Sequence, residues 1–267
     1  MGTKESYLTD LTDAQWALLQ PLLPKPKKQP NGPGRQPADL RAVINGILYV
    51  NRSGCQWRLV PKCFGHWNTV YSYFNRWSKQ GVWAELSEAL RRQERRRQGR
   101  APEPSGGCVD SQSVKTVSYG DARGYDGGKQ VKGRKRHILV DTLGLLMVVV
   151  VVTAANVGDR EGLMGLLKRY FADGVKRLRK LWVDAGYSGA PLQRWVAALK
   201  KTHKIELEVV GRSGRGFQLV AKRWVVERTF GWFNFRRRLS KDYEILTRNS
   251  EAMVYVASIS LLIKRNA

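Results

Sequence analysis

The chain has 267 residues, 47 of them Lys or Arg against 22 Asp or Glu, so its formal net charge is +25. With 42% apolar residues and abundant aromatics it can bury a core, and such a charge calls for a polyanionic partner. Three Cys (Cys55, Cys63, Cys108) exclude a disulfide-built fold, and three scattered His without a C-x-x-C exclude a zinc cage, so any metal must sit on carboxylates. The longest apolar run, Leu143 to Ala155, is about half the ~20 residues of a spanning helix, and MGTKESYLTD lacks the apolar stretch of a secretory signal. A cytoplasmic location is the expectation, with no membrane contact.

The charge is spread along the chain: residues 1–106 carry 17 basic and 8 acidic side chains, and residues 107–267 carry 30 and 14. A nucleic-acid binder displays basic groups over folded elements in this way, whereas a merely soluble cationic protein, a ribosomal protein or a membrane-surface protein is the alternative.

In chain order, Thr12 and Gln15 form a capping box with Leu11 and Trp16 as its hydrophobic staple, which predicts a helix to about Leu23. Six prolines between Pro21 and Pro37, mixed with Lys25, Lys27, Lys28 and Arg35, read as a basic linker or arm. Leu40, Val43, Ile44, Ile47 and Leu48 recur at helical spacing, as do Thr69, Val70, Tyr73, Phe74 and Trp77. A further helix runs from Val82 to about Leu90 and on into RRQERRRQGR. Residues 1–100 thus read as a small all-α domain of possible helix-turn-helix type, with the helix from Asn68 to Lys79 entering the major groove and Arg76 and Lys79 as its DNA contacts. Trp57, Trp67, Trp77 and Trp83 are assigned to the core. The density of Arg91, Arg92, Arg95, Arg96, Arg97 and Arg100 points to phosphate contact rather than to a solvated face.

APEPSGG, residues 101–107, marks a linker, and the pattern then changes to strands alternating with helices, a mixed α/β domain over 108–267. Cys108-Val109-Asp110 reads as a short first strand. A glycine-rich loop spans 120–133, and RKRHILVDTLGLLMVVVVVT reads as a hairpin turning near Asp141 to Gly144, its five-valine run buried on both faces. Helices are predicted at Arg160–Phe171, Pro191–Lys201 and Val220 to about Leu239, and strands at Lys180–Asp184 and Ile205–Val210. The apolar stretch Met253 to Ile263 packs within the chain or between subunits.

Two apolar strands end in an acid, at Asp110 and Asp184, which is costly unless its charge is compensated. If the strands are neighbours, the two carboxylates repel and a divalent cation makes the arrangement favourable. Glu227, on a helix whose other face is apolar, is the best third candidate. Ordinary turn acids, like Asp141, and a plain i, i+4 pair of Glu227 with Arg223 are the competing readings.

Three blocks resemble the DDE transposases of the IS5 family of bacterial insertion sequences, in the branch with an IS402-like N-terminal domain. LTDAQWALLQPLLP, DLRAVINGILYVNRSGCQWRLVP and VYSYFNRWSKQGVW resemble its helical DNA-binding domain; VDSQSVK and VDAGYSG resemble its two aspartate blocks, and RWVVERTFGWFNFRRRLSKDYE its glutamate block. The resemblance places the family's acids on Asp110, Asp184 and Glu227 and implies an RNase H-like catalytic fold. The related signature Y-x2-R-x3-E-x6-K keeps Arg223 and Glu227 but has Val220 for Tyr and Asn234 for Lys; Arg236, Arg237, Arg238 or Lys241 is expected to supply the missing cation.

The implied chemistry is cleavage at terminal inverted repeats and joining of the 3′-hydroxyl ends to target DNA, with two Mg²⁺ ions (Mn²⁺ as substitute) on the three acids. No nucleotide cofactor is expected, since no G-x-x-x-x-G-K-[ST] loop occurs. Lys129, Lys132, Arg134, Lys135 and Arg136, read as part of the mobile glycine-rich segment, are expected to hold substrate phosphates, together with Lys115, Arg223 and Arg228. Double-stranded DNA is the expected partner, a homodimer or larger assembly the expected DNA-bound state, and the nucleoid the expected site. A non-catalytic DNA-binding regulator, or a nuclease that cuts without joining, is the alternative.

Overall fold

The computed structural model describes residues 6–25, 36–117, 120–172, 176–187, 189–210 and 221–267. Four helices come first: α1 (Asp13–Leu19), α2 (Leu40–Ser53), α3 (Trp67–Gln80) and α4 (Val82–Arg97). The capping box forms as expected, Gln15 N–H donating to Thr12 Oγ1 at 3.2 Å and Thr12 N–H to Gln15 Oε1 at 3.1 Å. Helix α1 is shorter than its periodicity suggests, because Pro21 tightens Gln20–Leu22 into a 3₁₀ turn. α2 and α3 each end on a left-handed glycine, Gly54 and Gly81. The basic proline segment lies largely outside the described residues.

The rest alternates: β1 (Gly106–Lys115), β2 (Gly124–Asp126), β3 (Val131–Asp141), β4 (Leu146–Ala154), α5 (Asp159–Tyr170), β5 (Lys180–Val183), α6 (Ala190–His203), β6 (Glu206–Val209), α7 (Ala221–Asn234) and α8 (Thr247–Asn266). The sheet runs β2-β3-β1-β5-β6, with β4 also paired to β3. β1, β3 and β4 form an antiparallel meander, whereas β5 lies parallel to β1 and β6 parallel to β5. The hairpin turn falls at Asp141 to Gly144, as predicted. Of the five-valine run, Val152 is buried, and the side chains of Val148 to Val151 lie outside the described residues.

Two apolar layers cover the sheet. Val109, Leu139, Met147, Leu181 and Val183 pack on Leu163, Leu166 and Leu167 of α5. Cys108, Ile138, Val140 and Leu146, on the other face, join one continuous core with α4, α7, α8 and the N-terminal helices. α8 is the hub: Met253, Val256, Ile259 and Ile263 are all at most 2% exposed, and Asn51 of α2 donates to the Met253 carbonyl at 3.1 Å. The Met253–Ile263 stretch is thus packed inside the chain. Trp77 and Trp83 are buried, and Trp57 and Trp67 partly so, in line with their core assignment.

At Gly133 β3 runs close against β1, and a Cβ there would stand 1.9 Å from the Val114 carbonyl oxygen. Gly133→Ala is expected to push these strands apart and to cost about 3 kcal/mol, measurable as a lower denaturation midpoint.

Candidate active site

β1 and β5 lie side by side and bring the first two acids together, but Asp110 does not end its strand as the sequence suggests: β1 continues to Lys115, held by its pairing with β3, so Asp110 stands in mid-strand. Asp110 pairs in register with Ile138 of β3, and Asp184 follows the last residue of β5. Each is anchored by its own backbone: Ser111 N–H donates to Asp110 Oδ1 at 2.7 Å, and Gly186 N–H to Asp184 Oδ1 at 2.9 Å. Burial raises the Asp110 pKa from its ordinary 3.8 to about 6, and Asp184 adds to the rise while the Ser111 amide, Lys129 and Arg223 oppose it. The two acids are therefore neighbours in electrostatic contact.

Glu227 reaches the same face on α7, which is docked over the hairpin turn by Arg228 Nη2 on the Leu143 carbonyl at 2.9 Å and Thr229 Oγ1 on the Gly144 carbonyl at 2.7 Å. Its half-exposed carboxylate accepts from Arg223 Nη2 at 3.1 Å, the i, i+4 pair that the spacing allows. No group of three or more acidic, His or Cys side chains among the described residues is drawn together tightly enough to hold a metal. The helix predicted to run to about Leu239 stops at Asn234, and 237–239 form a separate 3₁₀ turn. Val220 lies outside the described residues.

Several expected DNA contacts are turned inward. Arg134, Lys135 and Arg136 belong to β3, not to a mobile loop, and each is at most 6% exposed. The Arg134 guanidinium binds the carbonyls of Asp121, Glu244 and Ile245 and pairs with Asp121 and Asp242. Arg136 donates to the Leu239 carbonyl at 2.8 Å, and its burial lowers its pKa. Arg238 pairs with Glu244 at 2.8 Å. Arg228 lies 4.5 Å from the Trp224 ring and 4.7 Å from that of Trp232. Buried Arg236 has no hydrogen bond to its Nε, and burial together with the nearby Arg52 lowers its pKa to about 10.

Much of the arginine run of α4 is paired with acids of the chain itself: buried Arg95 with buried Asp141, buried Arg91 and part-exposed Arg92 with Glu103, and exposed Arg97 with Glu94. Arg96 and Arg100 are exposed, as are Arg76, Lys79, Lys115, Lys129, Lys132, Arg237 and Lys241.

Residues not singled out from the sequence crowd the other side of β1. Buried Asp126, Ser111 and Lys135 form a polar group with part-exposed Asp159 and Ser113. Burial works against the charged form of Asp126, but Ser113, the Lys129 amide and Lys135 outweigh it and hold its pKa at about 2. Asp159 is also lowered, its burial offset chiefly by Ser111 and Lys135. Tyr187 is fully buried and its hydroxyl has no hydrogen-bond partner; burial first, then the charges of Asp110, Asp159 and Asp184, push its pKa well above the usual value. The available signal was an acid opening a helix directly after a β run, in Asn156-Val157-Gly158-Asp159.

Between pH 3.8 and about 6 the folded chain holds a proton on Asp110 that the unfolded chain has released, so stability falls as the pH rises through that window. Asp110→Asn removes the penalty. In chelator, the variant is expected to exceed the parent by about 1–2 kcal/mol at pH 7.5 after allowance for solvent screening, with the difference closing near pH 4 in thermal melts.

A mixed sheet in this order, with one acid within a central strand and another just past the end of its parallel neighbour, defines an RNase H-like catalytic domain of the kind that acts on DNA. Two family profiles match the chain: "Putative transposase of IS4/5 family" over residues 11–87 and "Transposase DDE domain" over residues 101–262. The chain belongs to the DDE transposase family, and is an enzyme of that type. It is 35% identical over 117 residues to the "Insertion element IS402 uncharacterized 16.2 kDa protein" of Burkholderia cepacia, 43% of this chain and 78% of that protein. It is 30% identical over 118 residues to the "Putative transposase for insertion sequence element IS402" of the same organism, covering 42% of this chain and 54% of that protein. The "Uncharacterized protein y4sN" of Sinorhizobium fredii is 30% identical over 83 residues, 31% of this chain and 64% of that protein. Domains of this family act on DNA and use divalent metal ions. Among the described residues no helix is long and apolar enough to cross a membrane.

Proposed function

We propose that the chain cuts DNA at the terminal inverted repeats of an insertion sequence and joins the freed 3′-hydroxyl ends to target DNA. The observation that carries this reading is the juxtaposition of Asp110 and Asp184 on neighbouring parallel strands, facing a helix that carries Arg223 and Glu227. The donor set suits a hard divalent cation: every candidate ligand is a carboxylate oxygen, and a cation would favour the charged form that burial, and secondarily Asp184, disfavours at Asp110. Asp110, Asp184 and Glu227 would hold Mg²⁺, with Mn²⁺ as substitute and two ions as the expected number.

When bound, such ions activate an oxygen nucleophile and stabilise the leaving oxygen. The chain's own groups prepare the site. The Ser111 and Gly186 amides fix the first two carboxylates, and Arg223, whose charge acts on Asp110, also holds the Glu227 carboxylate. Exposed Lys129, whose charge acts on Asp110, supplies a phosphate contact near the acids, exposed Lys115, Lys132, Arg237 and Lys241 supply others, and Arg76 and Lys79 on α3 supply them in the N-terminal helical domain (1–100), with 101–107 leading into the catalytic domain (108–267). Because two ends must be held at once, a homodimer or larger assembly on DNA is part of the proposal, as is action at the bacterial nucleoid.

The test is incubation with Mg²⁺ of a duplex carrying the element's terminal repeats, with a scrambled duplex as control. Joined products from the repeat substrate support the proposal; nicked ends alone indicate a nuclease, and binding without cutting indicates a regulator.

A further inference from the structure

A buried lysine lies behind the strand that carries Asp110. Lys135 projects from β3 with 8% of its side chain exposed, its Nζ 3.4 Å from Asp126 Oδ2 and 3.3 Å from Asp159 Oδ1. Each of these acids also takes a hydroxyl from β1: Ser113 Oγ donates to Asp126 at 2.6 Å and Ser111 Oγ to Asp159 at 2.7 Å. Side chains alternate across a strand, so Ser111 and Ser113 point to the face opposite Asp110. The group binds the back of β1 on either side of Gln112, immediately after the first acid.

The same group borders the turn that follows the second acid. Asp159 opens α5, and a Cβ on Gly186 would stand 3.1 Å from Asp184 Oδ1 and 3.9 Å from Asp159 Oδ2. Asp159 thus lines one wall of the turn whose amide anchors Asp184. Lys135, which the sequence suggests as a phosphate contact, has no open path to DNA and is enclosed by the two acids. Burying one cation with two anions is unfavourable unless every partner is satisfied, and here the serines and the Lys129 amide, 3.1 Å from Asp126 Oδ1, complete the set.

We infer that Lys135, with Asp126 and Asp159, is a positioning group that holds β1 and the Asp184 turn in the arrangement a divalent cation needs. This rests on the carboxylate-site reading proposed above. Positioning and plain electrostatics predict opposite signs. Removal of a nearby positive charge, taken alone, tightens cation binding; loss of the internal tie weakens it.

The experiment measures Mn²⁺ binding by calorimetry on the full chain, and duplex affinity across a salt series, for the parent, Lys135→Met, Lys135→Arg and Asp110→Asn. Lys135→Met is expected to weaken Mn²⁺ binding by roughly 10-fold or more, with Lys135→Arg recovering most of it and neither changing the salt slope. If Lys135→Met fails to fold, Ser111→Ala with Ser113→Ala, which leaves the charge unchanged, is expected to weaken Mn²⁺ binding in the same direction. Unchanged or tighter Mn²⁺ binding in these variants overturns the inference, as does a salt slope shallower by ~0.9, the mark of a lost phosphate contact. Should Asp110→Asn bind Mn²⁺ like the parent, the carboxylate-site reading fails and takes the inference with it. Loss in Asp110→Asn alone, with Lys135→Met unaffected, overturns only the inference.

Discussion

Asparagine in place of Asp110 or Asp184 is expected to lower the rate of strand cleavage by about 10³-fold or more while leaving duplex affinity intact. The substitution keeps the size of the side chain and one oxygen, so the Ser111 and Gly186 amides retain an acceptor and the turn keeps its shape. What is lost is the charge that a divalent cation requires; a 10³-fold effect corresponds to about 4 kcal/mol in the barrier. Affinity for DNA is expected to stay level or rise slightly, because each acid repels phosphate when no cation covers it. Glu227→Gln is expected to lose cleavage similarly and to free Arg223, which now spends its Nη2 on that carboxylate. Rates and affinities measured side by side decide the matter. A variant at Asp110 that cuts within tenfold of the parent would remove that residue from the site, and a parallel collapse of affinity would mean that the acids shape a binding surface instead.

The two aspartates stood out because an acid within or just after an apolar strand is unusual, as the pattern around Cys108-Val109-Asp110 and Leu181-Trp182-Val183-Asp184 shows, although the end of β1 at Lys115, five residues beyond Asp110, was not legible. The mixed α/β class, the hairpin at Asp141 to Gly144 and the capping box at Thr12 were legible on the same terms, since each is decided within a few residues. The basic residues were not. Arg134, Lys135 and Arg136 stand in a run rich in Gly and Lys that looks like a mobile loop, yet their partners include Asp159, Asp242 and Glu244 from later in the chain as well as nearby Asp126. Whether a cation faces water or an internal acid depends on tertiary pairing, which no local period encodes. The same holds for α8. Its apolar residues suggested either an internal or an intersubunit role, and the choice is made by the N-terminal helices that close over it.

Replacing Arg95 by Met is expected to destabilise the chain by about 3–5 kcal/mol without weakening DNA binding, the reverse of what a phosphate-contacting arginine would do. Arg95 is 4% exposed and pairs through Nη1 with Asp141, which is fully buried and also accepts the amides of Leu143 and Leu145, both at 2.9 Å. The pair fixes α4 to the tip of the β3–β4 hairpin, on which α7 and therefore Glu227 are docked. Removal of the guanidinium leaves a carboxylate in an apolar interior with two amides as its only compensation, and a loss of this size is a large part of the ~5–15 kcal/mol that ordinarily separates folded from unfolded chains. The melting temperature should drop by on the order of 10 °C. Arg96, its exposed neighbour, supplies the contrast: Arg96→Ala is expected to change stability by less than about 0.5 kcal/mol. If Asp141→Asn is added to Arg95→Met, the buried charge disappears and part of the loss should return, a recovery that a phosphate contact would have no means of producing.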